Sequence, residues 1–215
     1  VGTDRGLCGG LNTNLFRELL RLDAPGTAYV TLGRKAKQFI SRLKSGGKLL
    51  ADFELKDNFT IAQSKEISQF LIDRFLAGEF DAVDILYTRF VNALVQVPTK
   101  QGLVPVSHEE VLRQHAPAPA EGAEVEDDAG AVYLAEPEAG ELLSHFLPAV
   151  IHFQVYQAIL DARASEHSAR MVAMKNATEN AKKLVKDLTL EYNKARQAAI
   201  TTELLEITTA QMALG

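Results

Sequence analysis

The chain has 215 residues, 47% of them apolar and 24% charged, which is ordinary for a globular domain with an extension. Its formal net charge of -5 excludes broad binding to nucleic acid or anionic membranes, since such binding requires a basic surface. Cys8 is the single cysteine, so a disulfide framework and a cysteine-rich zinc site are both excluded.

Strands and helices alternate over roughly the first 100 residues, after a glycine-rich loop that ends at Gly10. Apolar spacing predicts helices over Asn12–Leu22, Arg34–Lys44 and Ala62–Leu76. It predicts strands over Ala28–Leu32, Leu49–Phe53 and Val83–Tyr87, with Phe90–Val97 continuing in extended form. This order predicts a parallel or mixed sheet covered by helices, a small Rossmann-like three-layer α/β domain.

Composition changes after Arg113, because no Lys or Arg occurs again before Arg163. Residues 116–130 are acidic and rich in Pro, Gly and Ala, which predicts a mobile surface loop. The pair Asp127 and Asp128 is therefore interpreted as solvated rather than as acid–base machinery. We expect an α/β foot domain over residues 1–140 and a long helix over residues 141–215.

The last segment predicts one long helix, because no Gly or Pro occurs between Ala149 and Leu214. About 66 residues would form a helix of roughly 100 Å, whereas a body of ~140 residues measures roughly 35–40 Å across. More than half of this helix is expected to extend beyond the body. Pro148 predicts a kink or a start of the helix.

A helix that extends beyond the body needs an apolar stripe and a partner helix that covers it. This helix has such a stripe, a seam of residues in heptad spacing. Its positions alternate by 3 and 4 over about four heptads. The seam comprises Met171, Met174, Thr178, Ala181, Val185, Leu188, Tyr192, Ala195, Ala199 and Thr202. No second helix of matching length is predicted in this chain, so we expect the partner to be another chain or a segment preceding Val1. A helix folded back as a hairpin is disfavoured because no turn signal interrupts the run.

The sequence contains only weak candidates for a catalytic, cofactor-binding or metal-binding site. Gly6, Gly9 and Gly10 resemble a dinucleotide loop only in outline, because the spacing is not GxGxxG. The histidine pairs His145/His152 and His108/His115 are seven residues apart, about 10 Å on a helix and too far to share a metal. Cys8, near a helix start, is interpreted as structural because no base or oxyanion site can be assigned to it. We therefore predict no cofactor and no metal.

Three long motifs, at both ends of the chain and in order, resemble the gamma subunit of F-type rotary ATP synthases. They are TDRGLCGGLN at residues 3–12, ASEHSARMVAMKNAT at residues 164–178 and YNKARQAAIT at residues 192–201, the last followed by Glu203, Leu204 and Glu206. In that family a shaft made of an antiparallel coiled coil lies inside an alpha–beta hexamer, and the α/β domain is a foot on the ring of c subunits. The resemblance also implies that the family's N-terminal helix would precede Val1 and would be the partner of the seam. The cysteine-bearing insert of chloroplast forms is absent, which favours a bacterial type.

The resemblance implies roles for individual residues. Contacts with the hexamer are implied for Arg196, Gln197, Thr201, Glu203, Glu206, Asp4, Arg5 and Cys8. The mid-shaft segment corresponds to Glu166, Arg170 and Lys175, and the foot on the ring and epsilon subunit to Tyr133 and Glu136. The implied partners are the alpha, beta and epsilon subunits and the c-ring, with no nucleic acid and no direct nucleotide binding. The implied location is peripheral, on the cytoplasmic face of the bacterial inner membrane.

The resemblance implies a central rotor shaft that transmits torque and does not catalyse. The residues alone leave two alternative functions open. A coiled-coil adaptor with an α/β head would self-associate through the seam. A small Rossmann-like enzyme would bind a nucleotide at the Gly6–Gly10 loop.

Overall fold

The computed structural model describes residues 1–43, 47–55, 59–106 and 139–214, with side chains from residue 144 onward in the last segment. In chain order the elements are α1 (Leu11–Leu22), β1 (Ala28–Leu32), α2 (Arg34–Ile40), β2 (Lys48–Phe53), α3 (Ile61–Leu76), β3 (Val83–Phe90), β4 (Gln96–Val104) and α4 (Ala139–Leu214). The chain divides into two compact units, Val1–Arg170 and Met171–Gly215. The mixed α/β region followed by a long helix confirms the predicted fold class.

The first sheet is a parallel pair, β1 with β2, connected through α2. Its register runs from Ala28 opposite Lys48 to Leu32 opposite Phe53. Strand β1 has its predicted bounds, and Gly33 ends it with a φ of 91°, a conformation that side chains with a Cβ rarely adopt. The predicted βαβ order is confirmed here.

The second sheet is an antiparallel hairpin of β3 and β4, which the sequence interpretation did not anticipate. The prediction of continuous extended chain over Phe90–Val97 was wrong, because the chain reverses between the strands. Asn92 makes this turn: its Oδ1 accepts the backbone N–H groups of Leu94, at 2.9 Å, and Val95, at 2.8 Å. An asparagine between two apolar runs was the available signal.

Helix α2 ends at Ile40, four residues before the predicted end at Lys44. The N–H groups of Arg42 and Leu43 bond to the carbonyls three residues earlier, so the chain tightens into turns rather than continuing as α-helix. Helix α1 lies beside α2, and the rings of Phe16 and Phe39 stack with centroids 4.3 Å apart.

Helix α4 has 76 residues and passes through Pro148, so of the two alternatives expected at this proline, a kink or a start, the start is excluded. Its turn around Val155 and Ile159, both fully buried, packs into the main core of the first unit with Leu103 of β4 and Ile67 of α3. Burial of each such side chain contributes about 1.5–3 kcal/mol, which offsets the lost backbone bond at the proline.

The second unit consists of the α4 residues from Met171 onward. Its described side chains are nearly all exposed, including apolar ones such as Leu188 and Tyr192. Within this unit the helix is therefore held by its own backbone bonds and its helix-forming composition, and its apolar stripe is uncovered.

Candidate functional site

The loop before α1 is fixed by its own side chains. Asn12 donates through Nδ2 to Thr3 Oγ1 at 2.7 Å and to Cys8 Sγ at 3.4 Å. Thr3 Oγ1 in turn donates to the carbonyl of Arg5 at 2.8 Å. Cys8 is buried, as expected for a structural cysteine, whereas Leu7 is 74% exposed and has a left-handed φ of 62°. The loop therefore presents an apolar tip on a rigid base.

Asp4 connects this loop to α2. Its Oδ1 accepts the backbone N–H of Arg34 at 2.9 Å and lies 3.9 Å from Arg34 Nε. The Lys35 N–H also bonds to the Thr3 carbonyl at 3.0 Å. Sequence reasoning missed Arg34, and no local pattern could have revealed it because the contact spans 30 residues.

A second set of charged residues comes from α4. Glu166 is buried and pairs with Arg170, whose Nη2 lies 2.5 Å from Glu166 Oε1. The Nε of Arg170 donates to the Gly6 carbonyl at 3.4 Å, so this pair lies against the loop. Arg163, also missed from the sequence, donates to the Leu55 carbonyl at 3.0 Å.

These two sets enclose a polar cavity of about 300 Å³ within the first unit. Its lining comprises Asp4, Arg5, Arg34, Leu55, Arg163, Glu166, His167 and Arg170. Four arginines against two carboxylates give a charge of +2 with the histidine neutral. The cavity brings together the loop residues Asp4 and Arg5 with Glu166 and Arg170, two groups to which the resemblance gave separate roles.

The remaining proposed contact residues lie in the second unit. Lys175, Arg196, Gln197, Thr201, Glu203 and Glu206 are all exposed. Thr201 Oγ1 bonds to the Gln197 carbonyl at 2.9 Å, as a mid-helix threonine commonly does. Tyr133 and Glu136 lie outside the described residues, as do His108, His115 and the acidic segment 116–130.

The seam also lies in the second unit, where Met171, Met174, Ala181, Val185, Leu188, Tyr192, Ala195 and Ala199 are all exposed. Val185 is 63% exposed and Leu188 54% exposed. A helical apolar stripe with this spacing is the surface that a partner helix covers in a coiled coil.

His152 is a satisfied histidine, as interpreted from the sequence, and His145 is exposed. The ring Nδ1 of His152 lies 2.5 Å from Ser68 Oγ, and burial, aided by the charge of Lys65, lowers the pKa of His152 below its usual 6.5. Among the described residues no group of three or more His, Cys, Asp or Glu side chains could hold a metal ion. None of the described helices has the length and apolarity needed to cross a membrane.

Comparison with known proteins gives a consistent result. The family model described as ATP synthase matches residues 1–214. The ATP synthase gamma chain of Methylacidiphilum infernorum is 52% identical over 220 residues, covering 100% of this chain and 73% of that protein. The gamma chain of Opitutus terrae is 46% identical over 222 residues, covering 99% of this chain and 72% of that protein.

Solved structures agree in fold. A chain in the cryo-EM structure of the Euglena gracilis mitochondrial ATP synthase, comprising OSCP, F1 and c-ring, superimposes with a TM-score of 0.70 at 23% identity, covering 99% of this chain and 70% of that one. At this identity the likeness concerns the fold, whereas the match over the whole chain and the curated relatives establish the family. The chain belongs to the ATP synthase family, as a gamma chain.

Proposed function

We propose that the chain is the central rotor shaft of an F-type ATP synthase. It would transmit torque between the proton-driven c-ring and the catalytic alpha–beta hexamer during ATP synthesis. Membership of the gamma chain family supports this, and two similar chains come from structures described as a rotor and as a central stalk with c-ring. The observation that carries the proposal is the uncovered heptad seam of α4.

The shaft acts by presenting different contacts to different subunits. Each catalytic subunit's affinity for nucleotide changes only if the shaft stabilises its conformations unequally, so an asymmetric helical surface is required. The exposed polar residues Arg196, Gln197, Thr201, Glu203 and Glu206 would make such contacts, with Asp4 and Arg5 contributing from the loop. Cys8, implied as a contact by the resemblance, is buried and would help to fix the loop instead. Glu166, Arg170 and Lys175 would form the mid-shaft segment.

The chain would itself be a non-catalytic subunit, peripheral on the cytoplasmic face of the bacterial inner membrane. Residues 1–140 would serve as the foot, with Tyr133 and Glu136 meeting the ring and the epsilon subunit, and residues 141–215 as the shaft helix. The absence of a transmembrane candidate among the described helices is compatible with attachment through partners.

Co-purification with alpha and beta subunits tests the proposal. The full chain carries the affinity tag, and a separate peptide supplies the N-terminal shaft helix of a gamma chain. Stoichiometric recovery of alpha and beta, improved by the peptide, is the expected result. No recovery in either condition, together with a stable self-associated chain, would favour the second candidate, a coiled-coil adaptor, which the exposed seam also allows.

A further inference from the structure

Helix α4 changes in composition at Ile200. Between Met171 and Ala199 only four of 29 residues are β-branched, whereas six of the ten residues from 200 to 209 are. The six are Ile200, Thr201, Thr202, Ile207, Thr208 and Thr209. A side chain branched at Cβ loses rotamer freedom against the preceding turn of a helix, so Ile and Thr are poorer helix formers than Ala, Leu or Lys. Residues 200–209, the threonine segment, therefore have a lower helix propensity than the part of the second unit before them.

All four threonines of this segment bond back to the backbone of α4. The hydroxyls of Thr201 and Thr202 each donate to the carbonyl four residues earlier, at 2.9 and 3.0 Å. Thr208 and Thr209 both donate to the Leu205 carbonyl, at 3.0 and 2.8 Å. An α-helix already assigns that carbonyl to the backbone N–H of Thr209, so three donors meet an oxygen with two lone pairs. Such back-bonding slightly destabilises a helix and often bends it.

The threonine segment has no tertiary packing in the described part of the chain. Every residue from 200 to 209 is exposed, including the large apolar side chains of Leu204 and Ile207. Most of the stability of a helix in a protein comes from packing of one face rather than from propensity. The turn of α4 around Val155 has that packing, whereas the threonine segment depends on its own weakened backbone bonds.

We propose that the threonine segment is a weak point of α4, which opens locally in the free chain and closes into helix on contact with the alpha–beta hexamer. The partner follows from the function proposed above, on which this inference rests. A segment that orders on contact uses part of its binding energy for folding, and it can adapt to subunits that differ in conformation. Leu204 and Ile207 supply apolar area whose burial at the contact stabilises the closed helix.

Hydrogen exchange of the full chain, followed by mass spectrometry over residues 200–209, tests the local opening, because backbone amides exchange when a helix opens. The segment variant combines Thr201→Ala, Thr202→Ala, Thr208→Ala and Thr209→Ala. It removes both the β-branching and the back-bonds at these four positions. The control variant combines Thr178→Ala and Thr189→Ala, whose hydroxyls also donate to carbonyls four residues earlier, at 2.9 and 2.7 Å, but lie among good helix formers.

In the free chain we expect exchange over residues 200–209 to slow at least tenfold in the segment variant. Each change from threonine to alanine favours the helical state by about two- to threefold, and four changes act on the same segment. The control variant should alter exchange over these residues by less than about twofold. Equal exchange in the segment variant and the parent would overturn the proposal.

Exchange in the complex with alpha and beta subunits tests the ordering on contact. The parent should slow on assembly at least tenfold more than the segment variant, because the variant is already closed before contact. Equal slowing in the two would overturn the proposal. Failure of the parent to form a complex would overturn the choice of partner together with the proposed function. The comparison in the free chain, which needs no partner, would still decide whether the segment opens.

Discussion

Ser68 Oγ of α3 and His152 Nδ1 of α4 lie 2.5 Å apart across the interface of the two helices. Ser68 is fully buried, and its hydroxyl also lies 2.8 Å from the Ser64 carbonyl four residues earlier in α3. The hydroxyl has one proton, so donation to Ser64 leaves its oxygen to accept from a protonated Nδ1 of neutral His152. The pair is one polar link between these helices, and a second is made by Ser64 Oγ, which donates to the His152 carbonyl at 3.4 Å.

Replacing Ser68 by Ala should lower the free energy of unfolding by about 1–3 kcal/mol, because the partly buried ring nitrogen of His152 loses its partner. Chemical denaturation of the purified chain measures this. Ser41→Ala is the matched control, since its exposed hydroxyl bonds to the Lys37 carbonyl and its loss should cost less than about 0.5 kcal/mol. Equal effects would show that the buried link contributes nothing.

Stability should fall as the pH is lowered through about 6.5. Burial, aided by the charge of Lys65, lowers the pKa of His152 below its usual 6.5. The unfolded chain therefore binds this proton first, and stability that is present above the unfolded pKa is lost on acidification. Denaturation midpoints measured across this range should slope less steeply in the His152→Gln variant, and equal slopes would contradict the burial of His152.

Gly33→Ala should be far more damaging than Gly26→Ala. Both glycines have positive φ, 91° and 87°, so either substitution costs about 1–2 kcal/mol in backbone strain. At Gly33 a Cβ would also lie 2.4 Å from the Gly2 carbonyl oxygen, whereas at Gly26 nothing lies within 4 Å. Thermal unfolding of the two variants compares them, and similar losses would contradict the close approach of Gly2 to Gly33.

Arg170→Met should destabilise the first unit by about 2 kcal/mol, because Glu166 would keep its buried charge without this partner. Adding Glu166→Gln should recover part of the loss, since a neutral amide is less costly to bury. Lys175→Met, at an exposed position, is the control and should change stability by less than about 0.5 kcal/mol. If the double variant is no more stable than Arg170→Met, the pair is not coupled.

Leu188→Asp should reduce recovery of the alpha–beta complex at least tenfold, because burying that leucine against a partner helix is worth about 1.5–3 kcal/mol. Lys183→Asp, off the seam, should have little effect. Both positions are exposed in the chain itself, so circular dichroism of the isolated variants should match the parent. Equal loss of the alpha–beta complex in the two variants would contradict the assignment of Leu188 to the seam.

Some features followed from the sequence alone because they depend on neighbours within a few residues. The bounds of β1 and the βαβ order both follow from local apolar spacing, whereas the seam from Met171 to Ala199 stays a prediction. The end of α2 and the β3–β4 hairpin were missed. The hairpin was missed although Asn92 signals the turn, because an extended apolar run fits one long strand or two paired strands equally well.

Only the tertiary structure decided which distant side chains meet. Arg170 bonds to the carbonyl of Gly6 across 164 positions of sequence, and Ser68 finds His152 across 84. No periodicity encodes such pairs, since they arise when several elements pack around one core and each fixes the others. The sequence therefore determined the family, while packing determined the polar cavity at Asp4 and Glu166 and the polar link at His152.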